Sequence, residues 1–237
     1  RRLVIVDKPD RSQCKLGIGT LGTQPKDADH VALLVANTAF GGTFTSRLTT
    51  EVRGKRGWSY GASSHLTSSH VREMFSIWTS PSSADAAPCL ALELEMLKTW
   101  CDDGITRDEL EFCKGFLRRS YAFEIDTAKK RLHQQIERSL LSLDADHHDR
   151  FVERVDAVTL DDANSAVARR IDPANLWVSA LCTDADVGAA VGQAWDVSGV
   201  VEEYDGVTEV NAVGGSVSQR GDTPGPPPPA AVTLAWL

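Results

Sequence analysis

The chain has 237 residues, 42% of them hydrophobic, enough to bury one sizeable core and better suited to one domain plus a tail than to two domains. With 33 acidic and 25 basic side chains the formal charge is −8, and no basic run interleaved with aromatics occurs, which argues against a nucleic-acid partner. There is no apolar run of the roughly 18 residues that a membrane-spanning helix needs, so no transmembrane segment is expected. The chain opens on Arg-Arg and a strand rather than on Met, which suggests a cut or processed piece of a longer protein, and nothing in it decides between cytoplasm and periplasm.

Residues 3–6 read as a short apolar strand, with Asp7-Lys8-Pro9-Asp10 as a turn. Residues 15–21 read as a second strand, in which Leu16 and Ile18 alternate with Gly17 and Gly19. Two strand glycines fit either a ligand passing over that face or a twisted edge strand. No phosphate-binding helix follows the G-x-G, so a nucleotide site is not expected. The spacing of Val31, Leu34, Val35, Thr38 and Ala39 predicts one face of a helix, and Gly41-Gly42 is expected to end it in the left-handed conformation glycine accepts. Thr43, Thr45 or Ser46 then caps a short helix with Leu48 and Val52 on its apolar side, stopped by Gly54 and Gly57. The chain resumes as a strand at Trp58, and alternation over 72–80 supplies its antiparallel partner. Arg53 therefore lies at a helix end and Tyr60 at a strand start, across a tight turn that lets both side chains converge.

From residue 84 the period becomes helical. Leu90, Leu94, Leu97 and Cys101 mark one helix ending at Gly104, and Thr106 with Glu109 forms a capping box that opens the next, through Leu110, Cys113, Leu117 and Tyr121. Leu132, Ile136, Leu140 and Leu143 mark another, and two shorter helices follow over 151–158 and 160–171. Asp172-Pro173 breaks the pattern before a last core strand at 176–182. The expected fold is α+β, an antiparallel or mixed sheet of about five to six strands covered on one face by helices. Residues 1–210 are assigned to this domain and 211–237, rich in Pro and Gly, to a tail expected to be disordered or extended.

Few residues suggest catalysis. A catalytic zinc of the peptidase type needs two imidazoles one helical turn apart, a carboxylate ligand and a glutamate base. His30, His65, His70, His133, His147 and His148 lack that spacing and read as surface or hydrogen-bonded side chains, so no metal site is expected here. The serines have no nucleophile-elbow pattern. Cys14, Cys89, Cys101, Cys113 and Cys182 have no CxxC spacing and read as buried thiols, in keeping with a reducing compartment. Arg118-Arg119 and Lys129-Lys130-Arg131 have Glu111, Glu124 and Asp126 close by, so solvated helix faces account for them.

One set of motifs is more specific. Phe40-Gly41-Gly42, Ser46-Arg47-Leu48, Arg53 and Gly57-Trp58-Ser59-Tyr60 occur in the order found in the non-catalytic half-domains of the pitrilysin/insulysin family of zinc peptidases, which includes mitochondrial processing peptidase and the respiratory-complex core proteins. The first strands resemble that family's opening hairpin, and the resemblance runs to about residue 183. The family's catalytic half carries HxxEH, and this chain has none. The resemblance implies an α+β half-domain with no catalytic residue and no cofactor of its own. Zinc is expected in a catalytic HxxEH-bearing half-domain or subunit, and Arg53 and Tyr60 are expected to bind the peptide substrate across the chamber between the halves. The alternative function is a structural subunit like the respiratory-complex core proteins; the alternative reading of the two residues is a surface Arg53 paired with Glu51 or Asp-rich neighbours and a strand Tyr60 in the core.

Overall fold

A computed structural model describes residues 2–7, 11–69 and 71–182, together with the backbone of three further strands. The sheet is built from β1 (Arg2–Asp7), β2 (Lys15–Leu21), β3 (Ala62–Leu66), β4 (Met74–Thr79) and β5 (Trp177–Cys182), in the order β3-β4-β2-β5-β1. Beyond β1 it continues through β7 (Val207–Asn211), β6 (Val200–Tyr204) and β8 (Ser218–Gln219). The tail expected from residue 211 lies outside the described residues, apart from Asn211 and Ser218–Gln219.

The fold is the expected α+β mixed sheet, with a different pairing at its centre. β1 and β2 do not form a hairpin: β5, arriving from the far end of the domain, lies between them, parallel to β1 and antiparallel to β2. β2 is accordingly an interior strand, paired to β4 on its other side, which removes the edge-strand reading of its glycines. Those glycines make room for cross-strand neighbours. A Cβ on Gly17 would lie 2.8 Å from the Trp78 ring, and one on Gly19 would lie 2.6 Å from the Met74 sulfur.

Alternation along the strands puts Leu3, Ile5, Leu16, Ile18, Phe75, Ile77, Val178 and Ala180 in the core. On the other face Lys15, His65 and Trp177 are exposed. The core side is covered by α1 (His30–Phe40), α3 (Ala86–Asp103), α4 (Arg107–Glu124) and α7 (Leu160–Arg170); α6 (Phe151–Ala157) packs on α1 and α4. Phe40 stacks on Trp100 with ring centroids 4.5 Å apart, and Phe75 closes the cluster at 5.6 Å from Trp100, joining helix layer to sheet. Thr106 and Glu109 form the predicted capping box at the start of α4. α5 (Ala128–Leu140) buries none of its residues.

Gly41-Gly42 ends α1 as expected, for a different reason. Gly41 has φ −151° and ψ 7°, outside the left-handed region. What it supplies is proximity, since a Cβ there would lie 2.3 Å from Ser64 Oγ on β3. Across this contact the Ser64 amide donates to the Gly41 carbonyl at 3.0 Å, and Ser64 Oγ donates to Asn37 Oδ1 at 2.6 Å. The edge strand β3 is thus sealed by the end of α1, which blocks strand addition there and fixes the loop that follows.

Candidate functional site

The segment after Gly42 is held at several points. Ser46 caps the helix α2 (Arg47–Thr49), its side chain accepting from the Thr49 amide. The chain then widens into a π-helical stretch, Thr50–Lys55, of the kind that recurs at functional sites. Leu48 and Val52 are buried. Arg47 anchors the start of the segment by a bidentate pair to Glu109, Nε to Oε1 and Nη2 to Oε2, both at 2.6 Å. Burial alone would raise the Glu109 carboxyl, but Arg47 and the Thr106 amide hold it below the usual carboxylate range.

At the other end Gly57 turns the chain with φ +66°, a left-handed conformation that side chains rarely adopt. Ser59 then fixes the approach to β3, its hydroxyl donating to the Gly61 carbonyl at 2.6 Å and accepting from the Ser80 amide at 2.8 Å. Thr49 Oγ1 donates to the Ala62 carbonyl at 2.8 Å, so β3 is also tied to α2. Between these pinned residues Tyr60 points outward, 83% exposed, rather than into the core.

Arg53 and Tyr60 do come together, with the guanidinium carbon 4.7 Å from the Tyr60 ring centroid. A second ring, Phe44, stands 5.1 Å from the same carbon and is 77% exposed. Sequence reasoning missed Phe44, although a large apolar residue among the capping candidates Thr43, Thr45 and Ser46 is a usable signal. Among the described residues Arg53 has no carboxylate partner: Glu51 binds Lys55 at 2.5 Å and Arg56 at 2.6 Å instead. The Tyr60 hydroxyl likewise has no hydrogen-bond partner among the described residues. A cleft of about 490 Å³ opens on the same segment, lined by Thr43, Thr45, Arg47, Glu51 and Arg56, and two of about 880 and 850 Å³ lie elsewhere, but none of the three is lined by Arg53 or Tyr60. The cation and its two rings therefore stand on an open edge, which a second surface would have to cover to make an enclosed site.

The remaining candidates have structural surroundings. His30 is buried and 2.8 Å from Thr23 Oγ1, and burial pulls it down to about 4. Burial likewise brings His147 to about 4. His65 is 2.9 Å from Ser63 Oγ, and His148 Nε2 is 3.8 Å from Glu137 Oε2. His70 lies outside the described residues. Arg118 pairs with Asp156 and Lys130 with Asp126. No group of three or more His, Cys, Asp or Glu side chains among the described residues could hold a metal ion, so these residues do not fit a zinc site. No helix among them is long and apolar enough to cross a membrane.

Comparison with known proteins agrees with this fold. The model of the peptidase M16 inactive domain matches residues 1–117. An uncharacterized zinc protease of Mycobacterium tuberculosis (strain H37Rv) is 29% identical over 173 residues, 72% of this chain and 38% of the relative. The uncharacterized zinc protease YmxG of Bacillus subtilis is 26% identical over 164 residues, 69% of this chain and 40% of the relative. The chain thus spans well under half the length of these relatives. Among solved structures, a peptidase M16 inactive domain from Pseudomonas fluorescens superposes with a TM-score of 0.69 at 23% identity, covering 77% of this chain and 43% of that one. A chain of complex III from Candida albicans superposes at 0.67 with 13% identity, covering 81% of this chain and 49% of that one, a likeness of fold alone. Residues 1–117 are thus similar to the peptidase M16 inactive domain, and the described residues share the fold of a solved inactive domain.

Proposed function

We propose that this chain is the substrate-binding, chamber-closing half of a zinc-dependent peptidase, working with an HxxEH-bearing half on the same polypeptide or on a partner subunit. The observation that carries the reading is the Arg53 guanidinium, held between the exposed rings of Phe44 and Tyr60 with no carboxylate partner among the described residues. Exposed aromatics of this size, grouped around a cation, are characteristic of a contact surface rather than of a solvated face. The rings restrain the guanidinium, and its N–H groups serve a peptide carbonyl or carboxylate through two parallel hydrogen bonds. The Tyr60 phenol is a directional donor for an oxygen that gains charge during hydrolysis. Zinc, and the water it activates, belong to the other half, because HxxEH does not occur in this sequence.

Hydrolysis of a quenched fluorescent peptide library tests the reading, measured for this chain alone, for a zinc-loaded HxxEH-bearing half from the same source, and for the two together. Activity confined to the mixture, or to a polypeptide carrying both halves, is the expected result. If the catalytic half alone does as well as the mixture, the chain is a structural subunit instead.

A further inference from the structure

Cys14 and Cys182 face each other at one end of the β2–β5 seam. The two strands run antiparallel with Leu16 opposite Ala180 and Lys15 opposite Leu181, so the next pair outward in that register is Cys14 opposite Cys182. The Cys14 amide donates to the Pro81 carbonyl at 2.9 Å, on the β4 side of the strand and away from β5. In an extended strand a residue's N–H and C=O point to the same side. Cys14 therefore offers β5 no ladder bond, and its pairing with Cys182 is of the non-hydrogen-bonded kind. Such pairs bring their Cα atoms to about 4.5 Å with side chains close together, inside the ~4.4–6.8 Å that a disulfide spans. Both side chains lie on the core face with Leu16 and Ala180, and both are buried. Cys182 and Ser83 are the polar neighbours of the Cys14 thiol. The other cysteines have different neighbours, Cys89 touching Glu93 and Thr79, and Cys101 the Ile171 carbonyl.

The geometry points to a redox modification site: Cys14 and Cys182 form a reversible cross-strand disulfide when a low-molecular-weight disulfide is present. The thiolate of one cysteine attacks that disulfide, releases one small thiol and leaves a mixed disulfide. The second cysteine then displaces the other small thiol. Two protein thiols are oxidised, one small disulfide is reduced to two thiols, and both protons leave on those products. Burial pushes the Cys14 thiol up, which keeps the reduced pair slow to react and makes exchange faster as pH rises. Cys182 is the last residue of β5 and is also paired in register with Asp7 at the end of β1. The bond therefore fastens the point where three strands end, closing a loop that contains nearly the whole half-domain. A staple of that span acts mainly on the unfolded chain.

The full chain is incubated, folded, across a series of oxidised and reduced glutathione mixtures in mildly alkaline buffer, and a second sample is refolded from denaturant in the same series. Remaining thiols are blocked with N-ethylmaleimide, the linkages are mapped by peptide mass spectrometry, and melting is recorded. The expected result in either arm is a Cys14–Cys182 linkage with Cys89, Cys101 and Cys113 still alkylated. It is accompanied by a rise in Tm on the order of 10 °C that dithiothreitol reverses. Cys14→Ser should fold as the parent chain does when reduced and lose both the linkage and the rise. Absence of the linkage in both arms, or pairing spread over all five cysteines, overturns the inference.

Discussion

Arg47 and Arg53 stand at opposite ends of one helical segment and are used in opposite ways. Arg47 is bound bidentately by Glu109, which also caps α4, so its charge is spent on joining two helices. Arg53 has two exposed rings beside it and no carboxylate among the described residues. The difference teaches that an arginine's type and position on a helix do not reveal its role, whereas what closes around it does. The sharpest way to break the comparison is Arg53→Ala. It should cut turnover of the assembled peptidase about 10²–10³-fold, as expected on losing one donor in a dry site, while moving Tm by no more than about 1–2 °C. A large fall in Tm with unchanged turnover would make Arg53 a second Arg47.

Glu93 sharpens the same comparison from the interior, because it is a fully buried charge-bearing group with no cation. Its Oε1 accepts from Cys89 Sγ at 3.4 Å, and Oε2 has no hydrogen-bond partner among the described residues. Burial raises its carboxyl to about 7 from an ordinary 4.5. The folded value lies above the unfolded one, so the stability it contributes is full below about 4.5 and is lost as pH rises through about 7. Between those limits the loss is on the order of 3 kcal/mol. Glu93→Gln should remove that slope, and the Tm difference between variant and parent should move in the variant's favour from acid to neutral pH. His30 acts in the other direction: its folded value lies below the ordinary 6.5, so its contribution is lost as pH falls toward 4. Subtracting the two melting profiles isolates Glu93, and a flat difference would show that the carboxyl ionises as readily in the fold as in the unfolded chain.

The paired end of the segment should answer to substitution in stability instead. Glu109→Ala removes both the Arg47 pair and the capping box, a loss of about 2 kcal/mol, or roughly 4–8 °C in Tm. Arg47→Ala leaves the cap in place and should cost less. Thermal melts of the two variants separate the terms, and equal losses would mean that the cap contributes nothing.

Much of this contrast was legible in the sequence, and the reasons for the rest are specific. Each helix from α1 to α7 and each strand from β1 to β5 follows from its apolar period, and Thr106 and Glu109 announced their cap. Strand pairing did not follow, because alternation shows which side of a strand is buried and not which strand lies beside it. Hence β5 between β1 and β2, and the facing of Cys14 and Cys182, appear only with the register. Gly41 was recognised as a terminator, but the close approach of Ser64 that requires it is a tertiary fact. β6 and β7 went unpredicted, although Asp205-Gly206 between two five-residue runs is a strong hairpin signal. At the site, the meeting of Arg53 and Tyr60 was anticipated from one short turn. Phe44 was not, since it lies on the far side of the helix start and reaches Arg53 only once the π-helical stretch is folded.

Phe44 therefore supplies the finest test. If its ring only restrains the Arg53 guanidinium, Phe44→Ala should forfeit about 0.5–1 kcal/mol, seen as a rise in KM of about 2–5-fold with kcat nearly unchanged. Tm should stay where it is, because a side chain 77% exposed contributes little packing. The decisive arm is the double variant. In an Arg53→Ala background a ring that acts through the arginine has nothing left to hold, so Phe44→Ala should add no further loss. If the two losses add instead, the ring meets the peptide on its own account. The open edge would then carry two independent contacts, and changing the substrate side chain nearest Phe44 from apolar to charged should alter KM even without Arg53.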